Sequence, residues 1–323
     1  MSRPIPIALL VDDSCPLIHV FRNHWEDVHH RAPETKDGRR LLDFIPNSFL
    51  DAFCDVCDLW GIAGKFTIVP APAGMGDVVR GIQGFSPEET SAWIATTKRR
   101  LGKRFDFTPE GITHNLAVDL ATGDMLTVGE NEWSQTQTRA TLTPYLTREL
   151  ELLKAAGVDA NGFTSPWVFG IQCETEYILA MAEAQRKVYG RESSWYFLHM
   201  LWNEPSARPW VAHQDERGRL ISIPATVPDL WWETIDNQNA DPADIGRRLY
   251  EKTCGVVAAG GAAIVLTHWQ SLFSNGLPTG LAALDDFGRR IADDGRFEWV
   301  KCSDMAAATP DNAKRVGAKS IGE

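Results

Sequence analysis

Three apolar segments of the chain stop at residues able to carry metal-assisted acid–base chemistry. Ile7-Ala8-Leu9-Leu10-Val11 ends in the adjacent carboxylates Asp12 and Asp13, Ile112-Thr113 leads into His114, and Ile264-Val265-Leu266-Thr267 ends in His268. Carboxylates and imidazoles brought together fit a divalent metal holding a water, with an acid and a base beside it. Each position alone says little, because a single histidine at a strand end is more often a structural group. Several such positions in chain order are harder to dismiss. Two adjacent side chains on an extended backbone point to opposite faces, so Asp12 and Asp13 share a site only if the chain bends where the run stops. Pro16, in the segment that follows, suits such a bend. His19 and Arg22, three residues apart and nearest to the pair, are the first candidates to line the mouth of the site.

The elements that would bring these positions together can be read from periodicity. Short apolar runs predict strands at the opening segment, at 65–70, from 105 to 114, and at 163–167, 195–200, 220–224, 261–268 and 297–302. Between them, apolar spacing predicts helices over 40–60, 86–101, 139–156, 175–189, 241–259 and 280–294. Ser86-Pro87-Glu88-Glu89 carries the cap, proline and glutamate of a helix start. Strands alternating with helices predict parallel βα units. The number of repeats points to an α/β barrel rather than an open sheet. On a barrel the carboxyl ends of the strands meet at one rim, so residues far apart in sequence can share a site. Residues 1–323 read as one domain, without repeats or linkers.

Composition narrows the function classes. The chain has 323 residues and a net charge of -11, which argues against a nucleic-acid partner. The cluster Lys98-Arg99-Arg100 with Lys103-Arg104 reads as a solvated helix end. The first strand begins too close to Met1 to leave room for a secretion signal, and no apolar run would span a membrane. Cys54-Asp55-Val56-Cys57 has metal-ligand spacing but no second pair, and its apolar surroundings predict a helix burying a thiol. A reducing, cytoplasmic setting is expected. The twelve tryptophans are the unusual component; most would fill the core, and a few could stack on sugar rings.

Read in order, these segments resemble the polysaccharide deacetylase (NodB-homology) family of carbohydrate esterases. Leu10-Val11-Asp12-Asp13 is similar to its first motif, Glu110-Gly111-Ile112-Thr113-His114 to its second, and Leu266-Thr267-His268 to its Leu-x-His motif. Gly162-Phe163-Thr164-Ser165-Pro166-Trp167 resembles the third, and Asp229 lies where the fourth could fall. The resemblance implies a distorted (β/α)7 barrel and a divalent metal, zinc in the usual member. It implies Asp12 as general base, His268 as general acid, and Asp13 and His114 as metal ligands. Trp167 and Trp269, beside motif residues, become candidates for substrate stacking.

Two departures bear on chemistry. The family's second metal-binding histidine falls where this chain has Val118 and Asp119. Asp119 as an oxygen ligand would shift the site toward harder ions. The arginine that orients the base in the family is replaced at Thr164. The expectation is a metal-dependent hydrolase removing an acyl group from a small carbohydrate or acylated small molecule, with self-association left open. Against it stand a metal-independent C–N hydrolase of a cyclic amide, like the allantoinase-like relatives, and a carbohydrate-binding relative without activity. A glycoside hydrolase on the same barrel would need two carboxylates at a defined separation.

Overall fold

In the computed structural model, residues 3–315 are described. The strand β1 (Ile5–Asp12) is buried from Ile7 onward and is the hub of the fold. It pairs in parallel with β2 (Gly64–Thr67), which pairs with β3 (Phe105–Thr108). On its other side β1 pairs with the late strand Ala263–His268, and its first residues pair with Phe297–Trp299. A second sheet contains three parallel strands, Gly162–Thr164, Ser194–Phe197 and Arg219–Ser222, flanked by an antiparallel strand, Trp210–Gln214.

The two sheets are joined at both seams. At one, parallel bridges link Phe107 to Ala160 and Glu110 to Thr164; at the other, Val227 bridges Val265. Met200 bridges Ala225 in between, so the ring of seven parallel strands closes through single bridges rather than full ladders. This is a distorted seven-stranded (β/α) barrel, as the alternation of elements predicts.

Strand alternation sorts the core. Ile7, Leu9 and Val11 face the helical layer with Phe53, Phe66, Leu249 and Phe287. Ala8 and Leu10 face inward with Trp195, Phe197, Ile221, Ile264 and Leu266. Cys302, Met305 and Ala306 of the closing helix Cys302–Ala308 join this inner cluster. Asp106 accepts from the backbone N–H of Ser303 at 2.6 Å, which fixes that helix against the amino ends of the strands. Continuing the same alternation, Asp12 is the next inward position of β1.

Most predicted helices are present, with boundaries moved by local chemistry. The helix expected over 40–60 begins only at Asn47, because a residue before proline is pushed out of helical geometry and Pro46 stands at the start. It ends at Gly61, whose φ of 66° provides the left-handed cap. Cys54 and Cys57 lie buried on that helix as free thiols, raised in pKa by burial. Arg100 and Arg104 pair with acidic residues of the same helix.

Several short elements were not anticipated. The polar stretch after β1 contains a short helix, Val20–Asp27, and two antiparallel hairpins join Leu116–Val118 to Met125–Gly129 and Trp210–Gln214 to Arg219–Ser222. The strand expected to run from 105 to 114 stops at Thr108. No helix among the described residues is long and apolar enough to cross a membrane.

Candidate active site

Asp12 and His268 end neighbouring strands in direct register, and their environments push them toward opposite roles. Asp12 is buried and forms an ion pair with Lys65, which is fully buried on the adjacent strand β2. The Lys65 ammonium also donates to Thr164 Oγ1 at 2.7 Å. Burial raises the Asp12 carboxyl, Lys65 opposes that, and the nearby Glu110 carboxylate adds to it, leaving it pushed up to about 7. His268 Nδ1 lies 2.8 Å from Asp229 Oδ2, which is itself held by Ser271 Oγ at 2.8 Å and the His268 N–H at 3.1 Å. Burial would lower the imidazole, but the Asp229 hydrogen bond and the carboxylates of Asp13 and Asp12 raise it to about 9. A buried carboxyl raised in pKa and an imidazole held in its charged form therefore end neighbouring strands.

The bend required after Val11 is present. Asp13 has φ of 62°, and His114 and Trp167 are likewise left-handed, at 56° and 55°. Non-glycine residues enter this region at a cost and concentrate where geometry serves a site. With the backbone turned, Asp12 and Asp13 open on the same cleft. Asp13 Oδ1 lies 2.7 Å from His114 Nε2, and its other oxygen accepts from Gln270. Burial works against ionising Asp13, but His114, then His268 and Gln270, hold its carboxyl well below the usual range. Glu110 Oε2 accepts from the Asp13 N–H at 2.6 Å, while Oε1 stays 3.7 Å from His114 Nε2.

One ligand atom from each of Asp13, Glu110 and His114 lies within 4.8 Å of the other two, and all three residues are buried. Two carboxylate oxygens and an imidazole nitrogen converging out of bulk water fit a divalent cation. The charge count agrees, because Asp12, Asp13, Glu110 and Asp229 all line the cleft.

The loop carrying Glu110 and His114 is organised by a fourth buried acid. Glu130 Oε1 accepts from the N–H groups of Ile112 at 2.8 Å and Thr113 at 3.1 Å, and Oε2 from that of His114 at 2.7 Å. Tyr145 OH donates to the same carboxylate at 2.6 Å. Gly111, at φ 65°, is required there, since a Cβ would stand 2.3 Å from Glu130 Oε2.

Asp119 is not brought to this cluster. It sits in the hairpin turn beyond Val118, where its carboxylate accepts from Ala121 N–H at 2.8 Å. The strand Leu116–Val118 carries it away from the rim, and Glu110 is the third member of the cluster with Asp13 and His114 instead. His19 and Arg22 also lie outside the cleft. His19 is fully buried as the cap of helix Val20–Asp27, accepting from Arg22 N–H at 3.2 Å, and Arg22 pairs with Glu26 and Asp43. Trp269 is 1% exposed, packed on Phe49, Phe53 and Phe66, whereas Trp167 is 40% exposed and lines the cleft. Asp12, Asp13, His114, Trp167 and His268 are thus gathered in one place. Glu110, Lys65 and Gln270 are site residues that the motif reading passed over. Glu110 stands one helical turn before His114 in sequence, which was a usable signal; nothing in the apolar strand around Lys65 announced its role.

The cleft has a volume of about 520 Å³. Beyond the acidic groups its walls are aromatic, with Phe21, Trp25, Trp167, Phe197, Trp202 and Trp232.

No protein-family model matches the sequence, and no curated protein matches it. Similarity appears among solved structures. A probable polysaccharide deacetylase from Pseudomonas aeruginosa PAO1 superposes with a TM-score of 0.54 at 9% identity, covering 94% of this chain and 90% of that one. Its fold is the polysaccharide deacetylase fold. A 4-alpha-glucanotransferase from Thermococcus litoralis aligns with a TM-score of 0.49 at 11% identity over 95% of this chain, which spans 40% of that enzyme's length. The T48 deacetylase with substrate aligns with a TM-score of 0.40 at 14% identity, over 83% of this chain and 87% of its own. The deacetylase fold agrees with the resemblance of the short motifs, and it places the strand ends carrying them at one rim.

Proposed function

We propose that the protein is a metal-dependent hydrolase that removes an acyl group from a sugar or related acylated small molecule, acting in the cytoplasm. The observation that carries this reading is the pairing of Asp12 and His268 in register beside the Asp13–Glu110–His114 cluster. A divalent ion held by that cluster, zinc or a harder ion suited to two oxygen donors, would polarise the acyl oxygen and acidify a water.

The chain's own groups account for the proton movements. Asp12, oriented by Lys65, accepts a proton from water as the water oxygen bonds to the acyl carbon. His268, kept protonated by Asp229, gives its proton to the leaving nitrogen or oxygen as the C–N or C–O bond breaks. A carboxylic acid and a free amine or alcohol result, and no redox partner is needed. Lys65 takes over the orienting role that the missing arginine has in the family, from a different strand. A protein that only bound carbohydrate would need neither a buried base nor a charged buried acid, and Trp167 offers the stacking face that a sugar ring would use.

The test is release of acetate from N- and O-acetylated sugars by protein loaded with divalent metal. Turnover is expected to fall on chelation and by about 100- to 10,000-fold in Asp12→Asn. Activity that survives chelator in protein without stoichiometric metal would overturn the reading and favour metal-independent amide hydrolysis.

A further inference from the structure

The walls of the cleft carry information about the substrate that the reacting groups do not. An arc of rings runs from the acid to the metal-ligand cluster. Trp232 meets His268 edge-on at 5.3 Å between ring centroids, Phe21 meets Trp232 at 4.9 Å, and Trp167 follows at 6.4 Å from Phe21 and 6.5 Å from His114. Among the described residues, side-chain oxygen acceptors are scarce around it. Apart from the reacting and ligand groups with their partners, the lining offers the indole N–H donors of its tryptophans and Ser165, whose hydroxyl is engaged with Tyr177 OH at 3.0 Å.

A sugar ring carries a hydroxyl on almost every carbon, and each loses about 1–3 kcal/mol when taken out of water without a partner. Sites for such ligands combine a stacking face with placed donors and acceptors; this wall has the faces and indole N–H donors, but outside the reacting and ligand groups and their partners its one hydroxyl, on Ser165, is already engaged. Its cations are the His268 imidazolium and whatever metal the ligand cluster holds, both at the reacting end; among the described residues no lysine or arginine lines the wall, and Lys65 is fully buried against Asp12.

Resting on the hydrolase reading above, we infer that the leaving group lies against Trp232 and Phe21 and is flat, apolar and uncharged: the substrate is an aryl amide or ester, or an acylated sugar presenting such a group. The amine or alcohol that accepts the His268 proton must sit beside that ring, and Trp232 is the ring in contact with His268.

Equilibrium binding separates this inference from the reaction itself. Titration calorimetry would compare acetanilide with N-acetylglucosamine and its trimer on the wild-type protein, at a fixed concentration of added zinc. The inference expects acetanilide to bind at least about tenfold more tightly than either sugar, and Trp232→Ala to weaken acetanilide by about tenfold, the scale of one aromatic contact. Equal or tighter sugar binding would overturn it, as would an unchanged acetanilide affinity in a folded Trp232→Ala protein. Phe21→Leu, retaining bulk, serves as the second variant if Trp232→Ala fails to fold; it too is expected to weaken acetanilide, and an unchanged affinity would overturn the inference. Hydrolysis is measured separately on the same compounds. Loss of turnover with the binding preference intact would defeat the hydrolase reading alone, and a sugar preference with turnover intact would defeat this inference alone.

Discussion

Lys65 ties the proposed base to the barrel interior: its ammonium reaches Asp12 and Thr164 and lies 5.0 Å from the centroid of the Phe197 ring. Removing one member of a buried ion pair leaves the other charge uncompensated. Lys65→Met is therefore expected to lower stability by about 3–5 kcal/mol in urea unfolding, with much of that recovered in the Lys65→Met/Asp12→Asn double variant. Additive losses would show that the two groups do not interact. The acid makes a separate prediction. Its raised pKa means that His268 holds its proton up to about pH 9 and loses it above, so kcat is expected to fall on the alkaline side with that midpoint. Asp229→Asn removes the carboxylate that supports the charged form, and should move the midpoint down toward the ordinary histidine value of about 6.5. An alkaline limb that does not move in Asp229→Asn would refute His268 as the proton donor.

The segment 110–114 shows how an element positions a site without belonging to a helix or strand. Its backbone donors close on Glu130, which begins the helix Glu130–Ser134 at the end of the second strand of a hairpin. Glu130→Ala would strand those N–H groups in the interior and release the loop. Metal affinity is expected to fall by about 10- to 100-fold although Glu130 does not reach the ligand cluster, the usual effect of losing an outer support. Unchanged affinity by titration calorimetry would mean that the loop holds its shape by other contacts. Strands were readable because continuous apolar runs such as Ile7–Val11 mark two-sided burial. This loop was not, since its shape comes from a carboxylate sixteen residues away from His114 in sequence. The helix Val20–Asp27 was hidden for a related reason: among its residues only Val20 and His24 are buried, which leaves no apolar stripe to detect.

Across the whole molecule, the barrel converts sequence separations into contacts. Gln270 reaches Asp13 from 257 residues away and Glu110 holds its N–H from 97. The strand ends that the motifs mark do converge, and Asp12, Asp13, His114 and His268 were legible because each terminates or follows an apolar run. Lys65 was hidden inside such a run, where a charged residue facing the barrel interior looks like any strand position. Asp119 illustrates the opposite failure: the family pattern put it near His114, but the hairpin turns it outward and Glu110 stands with Asp13 and His114 instead. That substitution is the point on which the metal-site account stands. Zinc titration of chelator-treated protein by calorimetry, with thermal melts to confirm folding, tests it most directly. The account predicts one equivalent bound by wild type and by Asp119→Ala with similar affinity, and binding weakened by at least about tenfold in Glu110→Gln. Tight binding retained in Glu110→Gln and lost in Asp119→Ala would contradict it.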